Sequence, residues 1–362
     1  MAATLRDVAR LAGVSFRTVS NVVNEYQHVS EATRAKVEAA IEELGYHPNY
    51  SARSLRLGRS KILGLAVPTL TQGYFAELTS EIIDAARERG YIVLTEQTNS
   101  RRELELDALQ GPRRLMTDGL LINPLALTSE DAPLFSTERP VVLLGENVFC
   151  DQVDHVTMKN VEAAAAGTDY LIGLGHRRIA LIGAATQDGP VMGTSTLRMK
   201  GYRQALQAHG IAPDPALELP AGTWRRADGA AGVRRLLDNG VAFDAVFAAT
   251  DMLALGAMHE LQVSGVTLPG DVSVLGFDNL VEGEYLTPTL SSVDGGRRRI
   301  ADVAVSALID RIENPGAPAV YQEVDFAIVE RESTGLRRPS ATVVAEPGAG
   351  VDVIPARLPV TS

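Results

Sequence analysis

From Ile62 onward the chain alternates short, continuous apolar runs with amphipathic stretches, and few architectures accept that alternation. The runs are ILGLAV (62–67), YIVLTE (91–96), GLLINP (119–124), VVLLGE (141–146), RIALIG (178–183), AVFAAT (245–250) and SVLGFD (273–278). Helical patterns such as YFAELTSEIIDAARERG and LRMKGYRQALQAHG lie between them. A strand that is apolar on both faces must be covered on both faces, and amphipathic helices supply the cover. The pattern therefore predicts parallel sheets in a doubly wound α/β architecture. Seven such runs predict two similar lobes, with a ligand crevice at the carboxyl ends of their strands.

The first 45 residues have a different texture and predict three short helices. Thr4 can cap the first, in which Leu5, Val8, Ala9 and Ala12 follow helical spacing. Gly13 permits a tight turn and Ser15 can cap the second. In GVSFRTVSNVVN (13–24), Val19, Val22 and Val23 form a buried stripe that leaves Phe16, Arg17, Ser20 and Asn21 on the opposite side. Ser30 can cap a third helix with Ala32, Val37, Ala40, Ile41 and Leu44 inward and Gly45 at its end. Two helices joined by so short a turn, closed by a third, make a helix-turn-helix unit. In YHPNYSARSLRLGRSK (46–61), Pro48 breaks the third helix, Asn49 can cap a new one and Gly58 can end it. A helix that short is marginal alone in water, so the segment is expected to be a linker that orders only with support.

Charge and cysteine usage narrow the function. The net charge of −11 argues against a protein that coats nucleic acid by bulk attraction. Residues 1–60 nevertheless hold eight Lys/Arg against six Asp/Glu, a net +2 that leaves −13 for the rest. A locally basic head sits on an acidic body. Cys150 is the single cysteine, which excludes an intrachain disulfide and a cysteine zinc cluster and suits a reducing compartment. The N-terminus lacks a secretory pattern and no stretch approaches a membrane span, so a cytoplasmic protein is expected. Residues 338–362, rich in Ala, Pro, Gly and Val without a period, are expected to be a disordered tail.

With these segments in order, TLRDVARLAGVSFRTVSNVVN, YHPN and the hinge SARSLRLG resemble the lactose repressor (LacI) family of bacterial transcription regulators. The likeness continues through YLIGLGHRRIALIG, RMKGYRQAL, FAATDMLALGAM, DVSVLGFDN and PTLSSVD, at family spacing, to about residue 335. It implies a helix-turn-helix headpiece (1–46), a hinge helix (47–60) and a two-lobed core (61–337) like the periplasmic sugar-binding proteins. It further implies a homodimer on a near-palindromic operator, one headpiece in the major groove of each half-site, under control of a small-molecule effector that is sugar-like.

Carried over residue by residue, the resemblance puts Phe16, Arg17 and Asn21 against base edges, where Arg suits guanine, Asn adenine and Phe a thymine methyl. Ser15, Ser20, Asn24 and His28 are placed for phosphates, and Asn49 joins the DNA-contacting set. Leu55 falls where a hinge leucine wedges between base pairs in the minor groove. In the crevice, Tyr74 and Phe75 close over the ligand, Arg198 donates, Asp278 accepts from neighbouring hydroxyls, and Trp224 stacks on an apolar sugar face. Three positions depart from the family pattern: Thr250 stands for a usual Asn, Lys159 for a common Asp and Tyr170 for a common His. Thr250 lies in the pocket, so the effector cannot be copied from a relative. No cofactor or metal is expected. An enzyme is disfavoured, because GLG (173–175) precedes a strand instead of following one, and GTSTL around Ser195 lacks the second glycine of a nucleophile elbow.

Overall fold

Among the described residues, the seven apolar runs all become strands, and five further strands join them to make two separate six-stranded sheets. The computed structural model describes residues 3–23, 28–46, 59–186 and 193–337. The expectations for Asn24, Asn49, Leu55 and the tail lie outside these residues. The chain divides into one unit over residues 1–61 and a second from Ile62 onward.

In the first unit, α1 (Leu5–Ala12) begins at Thr4, whose hydroxyl takes the Asp7 N–H while the Asp7 carboxylate takes the Thr4 N–H. Gly13 ends the helix at φ +66°, a conformation that side chains other than glycine's disfavour. The α2 helix (Phe16–Val23) starts at Ser15, whose Oγ accepts from the Thr18 N–H at 3.1 Å. Ser30 caps α3 (Glu31–Leu44) through the Thr33 N–H. The three helices bury Val8, Ala9, Val19, Val22, Val37 and Ala40, and Tyr46 closes the cluster. Two expectations need correction. Ser20 is only 6% exposed and not on the open face; three residues before Val23, it lies at the edge of the buried stripe. Ala32, in the first turn of α3, is exposed.

In the second unit, the first sheet runs β11-β5-β4-β3-β1-β2, all parallel. Its strands are β1 (Ile62–Val67), β2 (Ile92–Gln97), β3 (Gly119–Ile122), β4 (Val141–Leu144), β5 (Asp154–Met158) and β11 (Tyr321–Val324). The second sheet runs β12-β10-β9-β8-β6-β7, with only β12 antiparallel to its neighbour. It comprises β6 (Ile179–Ala184), β7 (Glu218–Pro220), β8 (Ala245–Ala248), β9 (Ser273–Phe277), β10 (Ser291–Asp294) and β12 (Ala327–Val329). The covering helices are α4 (Gly73–Glu88), α5 (Arg102–Gln110), α6 (Asn160–Gly173), α7 (Thr194–Ala208), α8 (Arg226–Asp238), α9 (Asp251–Val263) and α10 (Arg297–Glu313). The chain passes between the lobes at 158–160, 294–297 and 324–327, which returns α10 and β11 to the first lobe.

Among the strands absent from the apolar pattern, β5 and β10 are polar. In β5, Asp154 is buried because Arg311 of α10 grips both its oxygens, at 2.7 and 3.0 Å. In β10, Ser291 and Ser292 are buried with their hydroxyls bonded to Thr334 and Asp251. Two helix pairs in the second lobe pack backbone to backbone. A Cβ on Gly256 of α9 would lie 1.7 Å from the Arg226 carbonyl of α8, and one on Gly201 of α7 would lie 2.1 Å from the Val161 carbonyl of α6. Gly256→Ala should therefore lower the stability of the core by about 1–3 kcal/mol in denaturant unfolding. Gly173→Ala, where an added Cβ meets nothing within 4 Å, should leave it nearly unchanged; equal losses in the two variants would refute the close-packing account.

Candidate functional site

The headpiece presents a small surface of the kind the sequence predicts for contact with a partner. Phe16 at the start of α2 is 45% exposed, Arg17 is exposed and Asn21 is partly so, one turn further along the same helix. Ser15 and His28 are also exposed at the ends of the segment. The Ser15 hydroxyl is already shared with the Thr18 hydroxyl at 2.8 Å, so its first task is to fix the helix start.

In the core, a cavity of about 670 Å³ opens between the lobes at the carboxyl ends of the strands. Tyr74, Phe75, Arg198, Trp224, Thr250 and Asp278 all line it, although they come from five different places in the sequence. A second hollow of about 410 Å³ beside α10 is lined by groups such as Arg311 and Asp154 that already satisfy one another. The crevice differs because a buried carboxyl oxygen there lacks a partner.

Asp278 follows β9 in a left-handed backbone conformation, φ +113°, that turns its carboxyl into the crevice. It is buried, one oxygen lies 3.7 Å from Arg198 Nη1, and Oδ2 has no hydrogen-bond partner. Burial pushes its pKa up to about 7, against the pull of Arg198 and Arg297 and with a further push from Glu146 and Glu77. Behind it Asp251, the first residue of α9, accepts from the Ser292 hydroxyl at 2.6 Å and the Leu280 N–H at 2.7 Å. Burial, and then the neighbouring Asp278, push that carboxyl well up too. Gly276 in β9 is required here, because a Cβ would come 2.0 Å from Asp251 Oδ1.

Arg198 projects from α7 and is almost wholly buried. Its Nε donates to Asn160 Oδ1 at 2.9 Å, its Nη1 to the Ala249 carbonyl, and its Nη2 to the Met158 sulfur at 3.4 Å. The guanidinium carbon lies 3.4 Å over the centroid of the Phe277 ring. Burial lowers its pKa, while Asp278 and Glu146 hold it up. On the first-lobe side, Tyr74 and Phe75 meet edge to face at 5.3 Å, and burial raises the Tyr74 phenol. Trp224 stands at φ +56° with its ring partly buried against the apolar cluster of the second lobe. Thr250 both lines the crevice and caps α9, accepting from the Leu253 N–H at 3.3 Å. Across the mouth, Gln72 of the first lobe donates to the Thr223 carbonyl of the second at 3.2 Å.

Sequence reasoning missed Glu146, which lies just beyond β4 and faces the same cavity. Its Oε1 accepts from the Thr157 hydroxyl at 2.8 Å and the Asn160 amide at 2.7 Å, and its Oε2 from the Thr194 hydroxyl at 2.8 Å. Thr194 begins α7 in the second lobe, so this carboxylate ties the two walls together. Its signal was present: an acid closing the apolar run VVLLGE falls at a strand's carboxyl end, where the crevice must be. The departures Lys159 and Tyr170 do not line the crevice. Lys159 pairs with Asp325 at 2.5 Å across two of the inter-lobe connections, and Tyr170 bonds to Thr334 at 2.8 Å.

Comparison with known proteins resolves the class of both surfaces. Residues 4–49 match the family described as bacterial regulatory proteins, lacI family, and residues 168–334 match a periplasmic binding protein-like domain. The ribose operon repressor of Escherichia coli K12 is 32% identical over 338 residues, covering 91% of this chain and 99% of the relative. Among solved structures, a regulator of LacI family from Sanguibacter keddieii is 47% identical with a TM-score of 0.71, covering 76% of this chain and 99% of its own. The lac repressor dimer bound to operator and an anti-inducer is 28% identical with a TM-score of 0.79, covering 92% of this chain and 100% of that one. All three are described as transcription regulators or repressors. A headpiece and a two-lobed core in one chain, aligned with such relatives over nine-tenths of its length, establish that the chain belongs to the lacI family of bacterial regulatory proteins.

Proposed function

We propose that this protein is a cytoplasmic, homodimeric repressor that binds a near-palindromic operator and changes its DNA affinity when a sugar-like molecule closes the core crevice. The observation that carries the reading is the unpartnered, buried Asp278 Oδ2 in a crevice whose mouth is spanned by the Gln72–Thr223 hydrogen bond. A buried acceptor without a donor is costly unless something supplies one, and a ligand hydroxyl would do so while drawing both walls together. Ligand closure then biases two lobe arrangements, and the hinge between headpiece and core responds. The residues act by binding and positioning, and no turnover of the ligand is expected.

On DNA, Phe16, Arg17 and Asn21 read bases while Ser15, Asn24, His28 and Asn49 hold phosphates. Leu55 enters the minor groove from the hinge. Ser20 is not assigned a contact, because it is buried in the headpiece.

Arg17→Ala should relax base preference at one position per half-site, costing about 1–3 kcal/mol there in selection from a randomised operator library; an unchanged preference would refute the role. Leu55→Ala should weaken operator binding far more than binding to random duplex, as read by titration at fixed salt, and equal losses would remove the wedge. The Asp278 carboxyl titrates near 7 in the folded chain and near 3.9 when unfolded, so the folded state holds the extra proton and this group costs stability as pH rises from about 4 toward 7. Asp278→Asn should thus raise the melting temperature, relative to the parent, more at pH 8 than at pH 5. A difference independent of pH would show that Asp278 is not a strained buried acid.

A further inference from the structure

We infer that the crevice selects an uncharged polyhydroxylated ligand and rejects phosphorylated or carboxylated sugars. The inference rests on the sugar-like reading above and narrows it by charge.

Glu146 places a carboxylate on the cavity wall, and the deep positive charge of the lining is already occupied. Glu146 and Asp278 face the cavity, and Asp251 lies buried directly behind Asp278. Among the described residues that line it, the cations are Arg198 and Arg225. Arg225 is exposed beside the mouth, where water screens it. Arg198 is the deep one, and its donors are distributed before any ligand arrives: Nε to Asn160, Nη1 to Ala249 with Asp278 beside it, and one face covered by Phe277. Only Nη2, whose partner is a thioether sulfur, has weakly used capacity. A phosphate wants two parallel N–H donors from one guanidinium edge and a surplus of positive charge. Here it would find one partial donor, with the Glu146 carboxylate and the acceptor Asp278 beside it.

A neutral polyol fits the same atoms. A hydroxyl can donate to Asp278 Oδ2, the orphaned acceptor, while its neighbour accepts from Arg198 Nη2. Glu146 needs no ligand proton, since three donors already hold it. Its effect is the field it places across the cavity, which adds to burial in raising both Asp278 and Tyr74. Inside a site of low dielectric such like-charge opposition falls on an anionic ligand with little screening. Glu146 is on this account a specificity-determining residue that acts without touching the ligand.

The test uses the full-length protein and matched pairs: ribose with ribose 5-phosphate, glucose with glucose 6-phosphate, and cellobiose, with glucuronate as a carboxylated sugar. Melting temperature serves as the screen and calorimetry as the measure. At least one neutral member should raise the melting temperature, and its charged counterpart should bind at least tenfold more weakly. In Glu146→Gln that ratio should fall severalfold, while Glu146→Asp should keep it. A phosphorylated or carboxylated member that binds as tightly as its neutral parent would overturn the charge inference and leave the sugar reading standing. An unchanged ratio in Glu146→Gln would overturn the role of Glu146. Melting temperatures unmoved by every member of the set would overturn both the sugar reading and the inference built on it.

Discussion

Burying the Arg198 guanidinium is the constraint around which the rest of the crevice is organised. A cation that deep is tolerated only if its donors are met and a counter-charge is near, and the molecule meets the need with four groups from three places: the Asn160 amide at an inter-lobe connection, the Ala249 carbonyl before α9, and the Phe277 ring with the Asp278 carboxyl that follows it. Asp278 in turn sits where it does only because β9 carries Gly276, which leaves space for Asp251 behind it. One charged side chain thereby fixes the strand-end geometry of the second lobe and the first residue of the helix that enters it.

The same atoms reach across to the first lobe. Asn160 donates to Glu146 while accepting from Arg198, and Glu146 also receives the Thr194 hydroxyl from the opposite wall. Arg198, Asn160, Glu146, Thr157 and Thr194 thus form one connected network, with Asp278 beside it. Such networks respond as a unit, so a ligand that alters the environment of Asp278 is felt at Asn160, inside a segment that joins the lobes.

Much of this was legible in the residues, for physical reasons that also explain what was not. Strands such as β1 and β6 are buried on both faces and announce themselves as unbroken apolar runs, and the caps at Thr4, Ser15 and Ser30 mark helix starts by chemistry that is entirely local. Strand β5 was hidden because Asp154 is a core residue only in the grip of Arg311, some 157 positions away. Strand β10 was hidden because serines with bonded hydroxyls pack as well as apolar side chains of similar size. Glu146 read as the end of a strand and nothing more, since its partners Asn160 and Thr194 come from later elements. Ser20 misled in the opposite direction: helical periodicity assigns a face, but a small side chain at the edge of the stripe is buried with it.

The glycines that let α8 meet α9 and α6 meet α7 have a mechanical consequence. Where carbonyls of one helix occupy the space a Cβ would need on the next, the pair cannot slide or spread without collision, and the second lobe behaves as a stiff block. A stiff block joined to its partner by three short connectors stores little of an applied displacement as internal deformation. It converts the displacement into rotation, and the farther a point lies from the connectors, the larger the arc it sweeps. The lobe is then a lever whose fulcrum is the set of connections, with the ligand acting close to the pivot.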